Sequence, residues 1–396
     1  MPFLFPGLKE LVTQTAARNN VLEIFLESPL RRRLENVPAP GFRGPVFLVP
    51  GIFGSELARR RLLGHHVIWF NPAALDQGEI GHLALRPSSP ELEPRAPIPF
   101  AYLILSVWLK LAGYRVEFLP FDWRRDINQL GAELAGKLET APQSQIDLVT
   151  HSMGSLLVRA ALRNPGVNRK IRRVIMLGPP NRGAFIPAQA IRGTSIFVRL
   201  LANLLAESPG AIAAVLRTFP GLIQMMPPEM HDPAIWPAET RPDPEILNRA
   251  KEVLPNLPGI DDRFVIISGM QQETIVGVRR VDGEFEYDLS PDGDGQVPLD
   301  SVELEPAPVF YVRENHPLLA ANPEVAGAVV DLLQDGATTR LESRPPTRRG
   351  ITQTVRDSGL TNLESDLREA TGLTLQQARN LLPLWTPSPL AAVFGR

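Results

Sequence analysis

The stretch Val149-Thr150-His151-Ser152-Met153-Gly154-Ser155 constrains this chain more than any other. Gln145-Ile146-Asp147-Leu148 precedes it, apolar and β-branched enough to run as a strand into a buried sheet. Leu156, Leu157, Val158, Ala160, Ala161 and Leu162 follow it and read as a buried helix. A serine on a sharp strand-to-helix turn is a nucleophile elbow. Small neighbours leave its Oγ exposed above the sheet, and the first N–H groups of the helix face any oxyanion formed there. The common pattern is G-x-S-x-G. Gly154 fits it, whereas Thr150 stands where the first glycine usually is. The plainer alternative is a serine N-cap on an ordinary helix.

A nucleophilic serine needs a base and a group that orients the base, in the chain order serine, acid, histidine on this kind of fold. The chain has six histidines. His65, His66, His82 and His151 precede or abut the serine, and His231 lies in the Pro-rich stretch Pro227–Pro233. His316 follows the apolar run Val309–Val312 and precedes an apolar helix through Val325, Ala326, Val329, Val330, Leu332 and Leu333. It is therefore the expected base. His151 is read as a packing or hydrogen-bonding residue, because adjacent residues on a turn point apart. For the acid, Asp294 in Pro291-Asp292-Gly293-Asp294-Gly295-Gln296-Val297-Pro298 is expected, with Asp292 and Asp300 as runners-up. Asp and Gly also favour plain turns. A calcium loop fits poorly, because Gly295 breaks the ligand alternation.

An oxyanion needs two preplaced N–H donors. Met153 supplies the first. The second is expected from Pro50-Gly51-Ile52-Phe53-Gly54, after the buried strand Pro45–Val49, with Ile52 chosen and Phe53 the alternative.

Several motifs together resemble the lecithin:cholesterol acyltransferase family. They are Phe47–Leu57, Ile68-Trp69-Phe70-Asn71-Pro72, Phe121-Asp122-Trp123-Arg124, Leu177–Gly183, Phe219–Pro227 and Gly293–Pro298, in this order over about Pro45 to Leu333. The resemblance implies an α/β-hydrolase fold and a serine triad acting on acyl esters of lipids. Carried over residue by residue, it implies Ser152, Asp294 and His316, with Ile52 and Met153 as donors. The chain has no cysteine, so the disulfide-closed lid loop of the animal enzymes cannot form.

The expected fold class is α/β: a mostly parallel sheet with helices on both faces and a helical cap or lid insertion. Strands are expected at Val46–Val49, Arg115–Leu119, Ile146–Val149, Arg173–Leu177, Phe264–Ser268 and Val309–Val312. A hairpin strand is expected at Glu284–Leu289. A helix through Ile127, Leu130, Leu134 and Leu138 should start at a capping box of Asp126 with Gln129. The expected organisation is an appendage at 1–43, a hydrolase domain at 44–335 with a cap at about 184–250, and a linker and helical appendage at 336–396. The apolar runs Ile196–Leu205 and Ala211–Leu216 would roof the serine. Phe53, Leu201 and Leu205 are the expected substrate-binding residues, because burying each acyl CH₂ contributes ~0.8 kcal/mol.

Apolar residues make up 44% of the chain, enough for a sizeable core, and the net charge of −2 argues against a nucleic-acid partner. No cofactor or metal is implied. No run reaches the ~20 apolar residues of a membrane span, and the N-terminus lacks the basic start and long apolar run of a signal peptide. A cytoplasmic location is therefore expected. Arg31-Arg32-Arg33 and Arg348-Arg349 are candidates for transient contact with anionic lipid. The expected function is a serine carboxylic ester hydrolase of the esterase or lipase kind. The alternatives are acyl transfer to an alcohol, and a binding or scaffold protein that keeps the fold without catalysis.

Overall fold

The computed structural model describes residues 41–360 apart from Phe42, Leu63, Pro72, Ala73 and Asp76. The expected appendage before Gly41, with Arg31–Arg33, and the helices expected after Leu360 lie outside the described residues. Twelve strands occur among the described residues. They are β1 (Gly44–Val49), β2 (Ser55–Arg61), β3 (Gly64–Trp69), β4 (Glu93–Pro97), β5 (Tyr114–Phe118), β6 (Ile146–His151), β7 (Ile171–Leu177), β8 (Phe264–Gly269), β9 (Thr274–Val281), β10 (Glu284–Ser290), β11 (Val309–Val312) and β12 (Gln353–Arg356).

Six of them form one sheet in the order β11-β8-β7-β6-β1-β5, and every pairing in it is parallel. Parallel strands buried on both faces need apolar residues at successive positions. β1 shows this. Phe47 and Val49 join the helices Ile127–Glu139 and Met153–Ala161 on one face, and Val46 and Leu48 join the helices Pro99–Leu111 and Pro323–Asp335 on the other. This is the α/β-hydrolase architecture, and all six of the expected main-sheet strands are present. The carboxyl ends of parallel strands share one edge of the sheet. Ser152, the loop from Pro50, Gly178 and His316 all follow such ends, where ligands bind in open α/β sheets.

Two small sheets flank the main one, β3-β2-β4 and β12-β10-β9. The second contains the expected hairpin. Its edge strand β12 belongs to the segment expected to be a linker, which over residues 337–360 is docked on the body instead. Asp357 accepts from Arg192 Nε at 2.9 Å, from Phe285 N at 3.1 Å and from Tyr287 Oη at 2.7 Å, and it also contacts Arg192 Nη2. The segment 184–250 is helical for much of its length, with helices at Ile186–Arg192, Ile196–Leu204, Pro209–Leu216, Pro220–Gln224 and Pro244–Ala250. Asp126 caps its helix by accepting from Asn128 N at 2.8 Å and Gln129 N at 3.1 Å. The return half of the expected capping box is replaced by a contact from Gln224 Nε2 to Asp126 Oδ2, which ties the helix start to the segment expected to be the cap. Among the described residues no helix is long and apolar enough to cross a membrane.

Candidate active site

Ser152 stands between β6 and the helix Met153–Ala161 with φ 53° and ψ −126°. That conformation is sparsely populated for a residue with a side chain and costs on the order of 1–3 kcal/mol. An ordinary N-cap serine is extended and spends its hydroxyl on the helix N–H groups. The Ser152 hydroxyl makes no such bond, so the N-cap alternative does not hold. The turn is fixed at both ends. Ser152 N–H donates to Leu177 O at 2.9 Å. A methyl group at Gly154 would lie 2.3 Å from Pro50 O, which makes glycine obligatory there. Thr150, where the common pattern has glycine, is fully buried, and its hydroxyl pairs with Ser155 Oγ at 2.7 Å. The β-branched residue thus fastens the last residues of the strand to the first turn of the helix.

His316 is 3% exposed and Asp294 is fully buried. His316 Nδ1 lies 2.7 Å from Asp294 Oδ2, and His316 N–H donates to Asp294 O at 2.8 Å. Asp294 Oδ1 accepts from Gln296 N at 3.0 Å and Val297 N at 2.7 Å. The carboxylate therefore offers only acceptor sites to the imidazole. Nδ1 carries the ring proton, and the Nε2 lone pair is left for a donor. The runners-up sit elsewhere. Asp292 accepts from Arg349 N at 3.0 Å and Gly350 N at 2.8 Å, and Asp300 is exposed beside Arg348 at 3.2 Å.

Gly178, directly after β7, joins the serine and histidine regions. It follows Leu177, the acceptor for Ser152 N–H, and a methyl group on it would lie 2.8 Å from His316 Nδ1. Its φ of +54° and this close approach both call for glycine. The rings of His151 and His316 lie 5.1 Å apart, and His151 Nε2 lies 3.0 Å from His316 O. The strand-end loops thus bring Ser152, His316 and Asp294 to one edge of the sheet.

The loop after β1 meets the same spot. A methyl group at Gly51 would lie 3.0 Å from Ser152 Cβ. Ile52 and Phe53 follow in a turn closed by Gly54 N–H on Gly51 O at 3.1 Å. Met153 opens its helix, so its N–H belongs to the first turn, whose N–H groups have no intrahelical acceptor.

Phe53 has φ 59°. Its ring packs 4.6 Å from Trp123, 5.2 Å from Trp69 and 5.5 Å from Phe197 of the cap. Trp123 in turn packs 5.6 Å from Phe219. This aromatic cluster was not legible as one unit in the sequence, since its members come from five separate segments. Leu201 and Leu205 are buried in the apolar cluster shared by the cap and the sheet. The other motifs make buried polar contacts of their own. Arg124 binds Asp122 in a buried bidentate pair at 2.7 Å and donates to Leu83 O at 3.0 Å. Asn181 Nδ2 donates to Val302 O at 2.7 Å. Of the remaining histidines, His65 and His66 pair with Glu93 and Glu79, and His231 holds Ile223 O at 3.0 Å.

The family model described as lecithin:cholesterol acyltransferase matches residues 101–327, more than half of the chain. The motifs at Phe47–Leu57 and Ile68–Pro72 lie ahead of that span. Among solved structures, the mature form of the Bacillus licheniformis lipase BlEst2 is 17% identical with a TM-score of 0.37, covering 75% of this chain and 92% of that one. Aspergillus fumigatus lipase B is 13% identical with a TM-score of 0.36, covering 88% of this chain and 63% of that one. No curated protein sequence gives a match. The family match extends from the helix after β4 through the elbow, the cap and His316, and the chain is a member of the lecithin:cholesterol acyltransferase family, an enzyme acting on acyl esters.

Proposed function

We propose that this protein is a serine carboxylic ester hydrolase for lipid-like esters, with Ser152 as nucleophile, His316 as base and Asp294 as the orienting acid. The observation that carries this is the buried Asp294–His316 pair at 2.7 Å, delivered to the edge of the sheet where Ser152 sits at φ 53°. In the first half-reaction Ser152 Oγ bonds to the ester carbonyl carbon and its proton passes to His316 Nε2. The imidazolium then returns that proton to the leaving alkoxide as the carbon–oxygen bond breaks, leaving an acyl-enzyme and a free alcohol. Water repeats the sequence and releases the acid. Asp294 holds the Nδ1–H tautomer and stabilises the imidazolium. The N–H groups of Met153 and Ile52 receive the oxyanion, a contribution of about 10²–10³ in kcat for each such donor in comparable sites. The cluster of Phe53, Trp69, Trp123 and Phe197 suits an acyl chain, because aromatic rings offer large apolar area at low entropic cost.

Turnover of p-nitrophenyl esters of graded chain length, with and without an added alcohol, tests the assignment. Release of free acid with longer chains preferred is the expected result. Transfer of most of the acyl group to the alcohol would make the protein an acyltransferase with the same triad. Absence of turnover together with absence of fluorophosphonate labelling would make it a scaffold.

A further inference from the structure

Two buried polar side chains beside the proposed triad have no part in the proton transfers just described. Tyr102 is 1% exposed and His151 7%. Gly51 N–H donates to Tyr102 Oη at 2.8 Å, Tyr102 Oη lies 3.1 Å from His151 Nδ1, and His151 Nε2 lies 3.0 Å from the carbonyl oxygen of His316. The chemistry of the end groups sets every proton in this chain. A carbonyl oxygen only accepts, so His151 Nε2 carries the ring proton. Nδ1 is then a lone pair, and the Tyr102 hydroxyl, already accepting from Gly51, donates into it. Neutral His151 satisfies all three bonds. An imidazolium would set a second N–H against the tyrosine proton. Burial, and next the neighbouring His316, push His151 down to about 3, in keeping with that neutral form.

The ends of this chain are the two loops whose spacing the chemistry needs. One is the turn that carries Ile52, and the other is the segment that carries His316. Ser152 lies against the first, its Cβ 3.0 Å from where a methyl group at Gly51 would stand. Its N–H donates to Leu177 O, the residue before Gly178, where a methyl group would meet His316. Oxyanion donors act only within about 2.7–3.1 Å of the developing charge. A slip of either loop therefore weakens the transition state more than substrate binding.

We propose that Tyr102 and His151 are positioning residues that hold the oxyanion loop and His316 in register across Ser152, an inference that rests on the Ser152–His316–Asp294 assignment. Tyr102→Phe removes a single oxygen and strands Gly51 N–H. His151→Leu keeps bulk but breaks both bonds, whereas His151→Gln retains one acceptor and one donor. On the full chain, active sites are counted by fluorophosphonate titration, and kcat and KM for a p-nitrophenyl butyrate series are expressed per titrated site. Tyr102→Phe and His151→Leu should lower kcat about tenfold or more, with KM within about twofold of wild type, and His151→Gln should recover part of the loss. Unchanged kcat per titrated site in Tyr102→Phe, whatever happens to the melting temperature, overturns the proposal while leaving the triad standing. A wild-type protein whose turnover does not depend on Ser152 overturns the triad assignment and this inference with it.

Discussion

The Asp294–His316 loops and the helical cap 184–250 are held by opposite kinds of contact. In the loops the polar atoms of Asp294 are held by directional bonds. Asp294 Oδ1 takes two backbone N–H groups, Oδ2 takes the imidazole, and the Asp294 carbonyl takes His316 N–H. The cap is held by Val198, Leu201, Ala202, Leu205, Ile212, Val215 and Leu216 in one apolar cluster with the sheet. Fewer polar ties join it, such as Arg192 with Asp357, or Gln224 Oε1 accepting from Ile127 N at 2.7 Å. Directional bonds specify a single geometry, and losing one atom leaves a buried partner unmatched. Apolar packing scales with area and tolerates exchange among residues of similar volume. The loops therefore hold one geometry, whereas the packing of 184–250 tolerates exchange of side chains.

The contrast breaks most easily at Asp294. Asp294→Asn should lower kcat by up to ~10⁴, since the amide can donate to Nδ1 and favour the wrong imidazole tautomer. Steady-state kinetics on the folded variant checks this, and a loss under about tenfold would return the acid role to Asp292.

A second test uses acid. His151 is held down to about 3 against an ordinary 6.5, by burial first and by nearby His316 second. Below pH 6.5 the unfolded chain takes up a proton at His151 that the folded protein refuses, so its contribution to stability falls as pH drops toward 3. At pH 5 this amounts to about 2 kcal/mol. His231 and Asp147 also titrate differently when folded, so the observable is the difference between wild type and His151→Gln in urea unfolding at pH 7 and pH 5. The wild type should lose more, and parallel losses would show that His151 is not the neutral link described.

The cap gives a smaller, graded effect. Phe197→Ala should weaken octanoate esters about tenfold more than acetate esters, because each methylene removed from apolar contact forfeits ~0.8 kcal/mol. Leu201→Asn and Leu205→Asn insert an amide into the packed cluster. If they line the acyl site, their losses should grow with chain length in the same way. Equal fractional losses for acetate, butyrate and octanoate across all three variants would make the cap purely structural. The smallest effect is expected at Asp292→Asn, which loosens the Arg349–Gly350 contact and should leave kcat within about twofold.

The main sheet was legible because buried parallel strands are written as continuous apolar runs such as Val46–Val49 and Ile171–Leu177. The small sheet β3-β2-β4 was not. Its strands read Ser-Glu-Leu-Ala-Arg-Arg-Arg, Gly-His-His-Val-Ile-Trp and Glu-Pro-Arg-Ala-Pro. Charges and prolines look like loop there; β2 and β3 pair as a tight hairpin, and β4 joins them from a distant segment. β12 was missed for the same reason, since its partner β10 lies far back in the chain. At the site, Ser152 and His316 stand out by chain order and local pattern. Asp292 and Asp294 share one Asp-Gly turn signal, and the fold separates them by giving Asp292 to Arg349 and Gly350. Tyr102 carried no local signal, because its partner His151 is 49 residues away. The hydroxyl pairing of Thr150 with Ser155 likewise explains a departure from G-x-S-x-G that the pattern alone presented as a defect.

Ser152 is proposed as the nucleophile, activated by His316. Intact-mass measurement after exposure to a fluorophosphonate tests this assignment directly, on wild type, Ser152→Ala and His316→Ala. One adduct per chain is expected on wild type, located to the peptide that holds Ser152. No adduct is expected on Ser152→Ala, and labelling slowed by about 10³ or more on His316→Ala. An adduct on Ser152→Ala equal to that on wild type, or full-speed labelling without His316, would contradict the assignment.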